Sequence, residues 1–188
     1  MMKSSVAVDQ YGKITKVFVW ASDELISANV HADDIVLFVD PPEDRSSYWD
    51  FANESWKSIG TAPSPHHIFD YTTKQWIDPR TIDEIKAQRW AEIKSQRDQI
   101  EFGGFEFEGG IYDSDQVSQG RIMGAAAASI DQVWTLADNT TVELSASQLQ
   151  QLYEALQAHI ASVHERGRIA RQLIFEAETK EQVEAVNL

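Results

Sequence analysis

The 188-residue sequence contains no cysteine, so it can form no disulfide framework, no thiolate metal site and no thiol nucleophile. No stretch approaches the roughly 18 consecutive apolar residues that a bilayer-spanning helix requires, and we therefore expect no membrane insertion. The opening residues 1–6 lack the apolar core of a secretory signal, so we expect the protein to fold in a cytosol.

Basic residues are scarce. The 16 Lys and Arg residues are outnumbered by 30 Asp and Glu residues, which gives a formal net charge of −14. A charge of this sign repels phosphate backbones and excludes general nucleic-acid binding. The acidic residues form no run of five or six, so they indicate an acidic surface and not an acidic tail.

Hydrophobic residues are plentiful, at 43% of the chain, which is enough to build the core of one large domain or two small ones. In the first part of the chain, apolar residues over 6–8 and 14–20 flank a polar turn at 9–13, which predicts a β-hairpin. The run IVLFV at 35–39 predicts a buried strand. Residues 22–26 predict either a short helical turn or a loop.

An internal repeat with a period of 20 residues follows. Its two copies are residues 48–56 (YWDFANESW) and residues 68–76 (IFDYTTKQW). Each copy predicts a strand, a polar turn in which the Asp side chain bonds turn amides, and a second strand whose Trp packs against the flanking aromatic residues. A single two-stranded hairpin is only marginally stable, so we expect the pair to stack or to lean on a partner.

After residue 80 the pattern becomes mostly helical. Thr81 and Glu84 form a capping box that predicts a helix over 81–101 with a narrow apolar seam. A hairpin over 105–112 and a helix that begins at Asp113 or Ser114 come next.

The rest of the chain predicts a hairpin over 133–144 and a long helix from Ser145 to about Ala177. Gly167 predicts a kink or break in that helix, and Thr179 begins a last short turn. Together these elements predict an α+β protein with four parts. The parts are an N-terminal β-rich module (1–47), the aromatic hairpin repeats (48–80), a connector helix (81–101), and a C-terminal module of helices and short hairpins (102–188).

No pattern in the sequence predicts a reaction. His159 and His164 lie on different helix faces, and the pair His66 and His67 has no further ligand at a suitable spacing, which argues against a metal site. The carboxylates lie in turn or hairpin settings, and neither a nucleophile-elbow serine nor a phosphate-binding glycine loop occurs. We therefore expect no catalytic residues, no metal and no cofactor, and a protein that is not an enzyme.

The aromatic side chains of the repeat allow three interpretations: a small local core, contact with a partner protein, or stacking on a sugar. The apolar seam of helix 81–101 likewise fits packing within its own domain, a coiled coil between copies, or docking on another protein. The candidate partner-binding residues are Trp49, Trp56, Tyr71 and Trp76 of the repeat, and Ile85, Trp90 and Ile93 of the seam.

Several segments resemble proteins of bacteriophage tails. VAVD at 6–9, GKI at 12–14 and the strand over 17–20 resemble the opening of tail-fibre assembly and tail-fibre-associated proteins. Residues 69–81 resemble a junction found in many such proteins. The C-terminal part is similar to a phage-tail domain of unknown function through WAEIK at 90–94, RD at 97–98, GGF at 103–105, SQ at 118–119, RI at 121–122, Trp134, DN at 138–139, and the helix with His159.

This resemblance implies a phage-encoded, non-enzymatic structural protein of the virion tail that is made in the host cytoplasm. Such a protein would bind tail-fibre or baseplate proteins and support host receptor recognition, with formation of a homo-oligomer as a further option. The resemblance brings no catalytic residues with it.

Two alternatives stay open. One is a tail-fibre assembly chaperone that is absent from the mature virion, although the additional C-terminal part departs from compact chaperones of this kind. The other is a host-glycan binding module that uses the aromatic residues of the repeat.

Overall fold

The computed structural model describes residues 3–188, and the chain divides into two compact units, Met1–Arg80 and Thr81–Leu188. Helices hold 41% and strands 24% of the residues. Each strand ladder among residues 3–188 is antiparallel, the first unit is rich in strands, and the long helices lie in the second unit. The predicted α+β class is therefore confirmed.

A three-stranded sheet begins the first unit. The central strand β1 (Lys3–Val8) pairs with β2 (Ile14–Ala21) on one side and with β3 (Ile35–Leu37) on the other, which confirms the predicted hairpin. Both faces of β1 are covered, because Val6 packs in one hydrophobic cluster and Ala7 in another. The segment after β2, left open between a helical turn and a loop, forms the short helix α1 (Asp23–Ser27).

Strand β3 differs from its prediction. It ends at Leu37 and lies at the edge of the sheet, and Ile35 and Phe38 are 41% and 60% exposed. The predicted strand exists, but its predicted burial is wrong, because an edge strand has a neighbour on one side only. Pro41 and Pro42 follow, and proline disfavours continued sheet pairing.

The two copies of the repeat form two hairpins, as predicted. They consist of β4 (Ser47–Asp50) with β5 (Ser55–Ser58), and β6 (Ile68–Asp70) with β7 (Gln75–Ile77).

The first of these hairpins is bonded to the N-terminal sheet. Trp49 N donates to Gly12 O at 2.8 Å, and Lys13 forms a β-bridge with Tyr48. Gly12 has a φ of +77°, and a Cβ there would lie 2.1 Å from Trp49 O, so this approach requires glycine. Residues 1–47 and 48–80, which we predicted as two parts of the chain, therefore belong to one unit.

The second unit is built around two long helices. Its elements are α2 (Ile82–Phe102), β8 (Phe105–Phe107), β9 (Gly110–Tyr112), α3 (Gln116–Ala128), β10 (Gln132–Thr135), β11 (Thr141–Leu144), α4 (Ala146–Glu176) and α5 (Lys180–Glu184). The predicted capping box at Thr81 is confirmed, and capping boxes also lie at Ser145 and Thr179, the predicted starts of the last two helices.

Two local predictions in this unit need correction. Helix α3 is capped by Asp115, whose Oδ1 accepts from Val117 N at 2.9 Å, and not by Asp113 or Ser114. Ser114 is instead fully buried and donates to the carbonyl of Glu101 at 2.5 Å. Helix α4 runs through Gly167 without a break.

We predicted residues 81–101 as a connector between modules. In the structure this helix belongs to the second unit, because its apolar residues pack against α4 and α5. A second cluster in the same unit joins α3, the small hairpins and the first half of α4.

Candidate functional site: the aromatic hairpins

Asp50 organises the turn of the first repeat hairpin. Its Oδ1 accepts a hydrogen bond from Ala52 N at 3.0 Å, and its Oδ2 accepts one from Asn53 Nδ2 at 2.6 Å. Lys57 on β5 forms an ion pair with the same carboxylate. These contacts, of which Lys57 contributes most and Asn53 next, hold the pKa of Asp50 well below its usual range. The carboxylate thus stabilises the turn and is a poor candidate for a general acid.

Asp70 has the same position in the second hairpin, 20 residues later. Its Oδ1 accepts from Thr72 N at 2.9 Å and its Oδ2 accepts from Thr73 Oγ1 at 2.7 Å. The Thr73 hydroxyl and then the Thr72 amide lower the pKa of Asp70. The predicted bond between the repeat Asp and a turn amide is therefore present in both copies.

The tryptophan at the end of each copy forms a hydrogen bond with an earlier part of the chain. Trp56 Nε1 donates to the carbonyl of Asp40 at 3.0 Å, and Trp76 Nε1 donates to the carbonyl of Ile59 at 2.9 Å. Because both indole N–H groups are used within the unit, these two residues stabilise the fold.

Ring contacts pack each hairpin and join the two. Trp49 meets Trp56 edge-to-face with ring centroids 5.0 Å apart, and Phe69 meets Trp76 in the same way at 5.5 Å. Tyr48 of the first hairpin stacks on Phe69 of the second at 5.9 Å. The expectation that the pair would stack is confirmed.

Lys74 connects these hairpins to the turn between β1 and β2. Its Nζ donates to the carbonyl of Tyr11 and lies 4.4 Å from the ring centroid of Tyr48. Lys13 Nζ lies 5.6 Å from the ring centroid of Tyr71. Both ammonium groups are within the distance at which a cation is attracted by an aromatic ring.

A cleft of about 240 Å³ lies between these turns, and we call it the turn cleft. Tyr11 and Phe51 line this cleft, and 41% and 42% of their surfaces are exposed. Burial, and to a lesser extent the charge of Asp9, raises the pKa of Tyr71, so its hydroxyl stays protonated at neutral pH. The lining residues are Gln10, Tyr11, Trp49, Asp50, Phe51, Ala52, Tyr71, Thr72 and Lys74.

The four candidate residues of the repeat occupy different environments. Trp49 is 8% exposed and packs on the N-terminal sheet, so it offers almost no surface to a partner. Trp56, Tyr71 and Trp76 are half-buried, and of these three Tyr71 lines the turn cleft. The core-packing interpretation therefore describes Trp49 best.

Tyr11, Phe51 and Lys74 line the cleft but are not among the candidates from the sequence. Phe51 is the repeat equivalent of Tyr71 by the 20-residue offset, and this offset could have identified it. Tyr11 and Lys74 carry no such signal, because only the folded chain brings their distant turns together.

The second unit matches a known family. The model of a family described as a domain of unknown function, DUF4376, matches residues 84–187, which is more than half of the chain. The chain belongs to the DUF4376 family. The matched residues fall within the unit Thr81–Leu188, which we therefore call the DUF4376 domain. Searches of curated proteins and of solved structures gave no match.

Two of the three seam candidates are core residues of the DUF4376 domain. Ile85 and Ile93 are 2% and 0% exposed and pack in one cluster with Ala170 and Ile174 of α4. The prediction that they contact a partner is wrong for this structure, because α4 covers the seam. The structure shows the seam packed within its own domain, which is one of the three interpretations given above.

Trp90, the third seam candidate, still reaches the surface of the DUF4376 domain. It is half-buried, and Lys94 Nζ and the guanidinium of Arg171 lie 5.9 and 5.8 Å from its ring centroid. A half-exposed tryptophan between two cations is a suitable contact residue.

The helical histidines make contacts within the DUF4376 domain. His159 Nε2 lies 3.0 Å from the carbonyl oxygen of Ile100, and His164 Nε2 lies 3.1 Å from a carboxylate oxygen of Glu101. Across residues 3–188, no three His, Asp or Glu side chains are grouped so that they could hold a metal ion. Of the helices in that same range, none combines the length and hydropathy that a membrane span requires.

Proposed function

We propose that this protein is a structural component of a bacteriophage tail, without enzymatic activity, that binds fibre or baseplate proteins and supports host receptor recognition. In this proposal it is made in the host cytoplasm and ends in the tail of the virion. The resemblance of its segments to phage tail proteins supports the choice of partner. The turn cleft supports the mode of action, which is contact between protein surfaces.

The observation that carries this proposal is the exposure of aromatic rings on well-fixed turns. Tyr11 and Phe51 are more than two-fifths exposed, while the turns that hold them are fixed by Asp50 and Lys74. Aromatic residues on a rigid support lose little conformational entropy when they bind, and they are enriched among the residues that dominate binding energies.

The proposal is tested by binding to purified tail-fibre and baseplate proteins. We expect Tyr11→Ala and Phe51→Ala each to weaken the complex about tenfold in a surface-plasmon titration, as is common for aromatic contact residues. Leu25→Ala is the matched control, because Leu25 is 54% exposed in the same unit but does not line the turn cleft.

Equal affinities for all three variants and the wild type would remove the turn cleft from the proposal. Trp56→Ala and Trp76→Ala are poorer tests, because each also removes an internal hydrogen bond and so affects folding.

The turn cleft also supports a second candidate, the host-glycan binding module. Its exposed rings can stack on sugar faces, while Thr72 and Tyr71 supply hydroxyl groups at the same place. A glycan array distinguishes the two: sugar binding that is lost in Phe51→Ala, without fibre binding, would favour the glycan module.

A further inference from the structure

The DUF4376 domain has an apolar groove between its two long helices. The groove has a volume of about 310 Å³, and its apolar walls are Ala87 and Trp90 of α2 and Ile174 and Phe175 of α4. Phe175 is 71% exposed, although it adjoins the buried Ile174. We call this feature the Trp90–Phe175 groove.

Two basic residues, Lys86 and Arg171, line this groove. Lys86 Nζ donates to the carbonyl of Phe175 at 3.0 Å, and the guanidinium of Arg171 lies 5.9 Å from the Phe175 ring as well as close to Trp90. Lys94 approaches Trp90 from the same helix. Asp83 is the carboxylate residue among those that line the groove.

This positive rim contrasts with the domain around it. Residues 81–188 contain 9 Lys and Arg residues and 18 Asp and Glu residues. Three of those nine cations lie around a single pair of aromatic rings, so the groove is a basic and apolar spot on an acidic domain. Such a local field favours a ligand that brings negative charge together with apolar surface.

We propose that the Trp90–Phe175 groove docks an acidic, apolar segment of a partner protein. An aliphatic or aromatic side chain of that segment enters between Trp90 and Phe175. Its neighbouring Asp or Glu carboxylates pair with Arg171, Lys86 and Lys94. A guanidinium that lies over a ring can still donate hydrogen bonds from its edge to a carboxylate, which makes Arg171 the central contact.

This inference concerns the second unit and does not depend on the proposed role of the turn cleft. It also does not depend on which protein supplies the segment, because charge and apolar surface alone identify the ligand class.

The test is a selection from a random library of displayed dodecapeptides on the immobilised full-length chain, followed by titration of the enriched peptides by fluorescence anisotropy. We expect enriched peptides to carry Asp or Glu next to Leu, Phe or Trp. Phe175→Ala and Arg171→Glu should each weaken their binding about tenfold. Both side chains are exposed, so the thermal transition of each variant should match the wild type.

Arg166→Glu is the matched control, because it makes the same change of charge on an exposed face of α4 outside the groove. It should leave peptide affinity unchanged. A peptide in which Lys replaces the acidic residues should bind Arg171→Glu better than it binds the wild type.

Three results would overturn the proposal. One is the absence of enriched peptides, and another is enrichment of neutral or basic peptides. The third is binding that Phe175→Ala does not weaken. Sedimentation equilibrium tests whether a second copy of this chain occupies the groove instead. Self-association of the wild type that Phe175→Ala abolishes would assign the groove to that second copy.

Discussion

The two repeat aspartates show how one residue type can serve the same turn with different partners. The carboxylate of Asp50 accepts a hydrogen bond from a side-chain amide and pairs with an ammonium group, whereas that of Asp70 accepts from a threonine hydroxyl. Both carboxylates also accept from the backbone amide two residues later. The turn therefore depends on the carboxylate, while the residue that follows it by three positions can vary.

The lowered pKa of Asp70 predicts a pH-dependent contribution to stability. A group whose pKa is lower in the folded state stabilises fully above its ordinary value of 3.8, and this contribution disappears as the pH falls through the folded value. We expect Asp70→Asn to lower the melting temperature at pH 7, and the difference from wild type to shrink below about pH 4.

Thermal unfolding followed by circular dichroism, at pH 7 and at a pH below about 4, measures the difference in melting temperature between Asp70→Asn and the wild type. Glu54→Gln, which removes an exposed carboxylate from the other hairpin turn, is the control for net charge. A deficit in Asp70→Asn that is the same at both pH values would contradict the account of Asp70.

Trp76 combines a hydrogen bond with ring packing, and the two can be separated by substitution. Trp76→Phe keeps a ring against Phe69 but leaves the carbonyl of Ile59 without its donor, so we expect a loss of about 1 kcal/mol. Trp76→Ala removes both contacts and should cost about 2 to 3 kcal/mol. Urea denaturation followed by fluorescence measures both losses. A Trp76→Phe variant as stable as the wild type would show that the indole N–H contributes nothing, whereas equal losses for the two variants would show this of the ring packing.

Among the helices, α3 and α4 each contain glycine where alanine is the better helix former. A Cβ at Gly120 would meet no atom within 4 Å, so Gly120→Ala should stabilise the protein by about 0.5 to 1 kcal/mol. A Cβ at Gly167 would lie 3.3 Å from Cδ of Arg97, so Gly167→Ala should stabilise the protein less than Gly120→Ala does. Urea denaturation curves measure both changes, and a loss of stability in Gly120→Ala would contradict this assignment.

Elements whose signals are local were predicted best from the sequence. The capping boxes at Thr81 and Ser145 each involve residues three positions apart, and the repeat hairpins need only a turn of a few residues. The cap of α3 was placed one or two residues too early, because three neighbouring residues at 113–115 can all cap a helix and the fold uses one of them, Asp115.

Features that depend on distant contacts could not be predicted in this way. The burial of Ile85 depends on Ile174, which lies on another helix far along the chain. The turn cleft depends on Lys74 reaching the carbonyl of Tyr11. In both cases the sequence indicates an apolar or aromatic residue, but not what covers it.

At the scale of the whole molecule, each of the two units has a surface suited to contact. The first unit presents the aromatic rings of the turn cleft. The DUF4376 domain presents the Trp90–Phe175 groove with its basic rim. A non-enzymatic tail protein that bridges partners would use such surfaces, and a chain with a formal charge of −14 can display aromatic rings and stay soluble.

Quantitative mass spectrometry of purified virions, from the phage that encodes this chain under the proposed function, tests that function most directly. The account predicts that peptides of this chain are present in a fixed ratio to those of the other tail proteins. Peptides that are abundant in the infected-cell lysate but absent from the virions would contradict the structural role, and would favour an assembly chaperone instead.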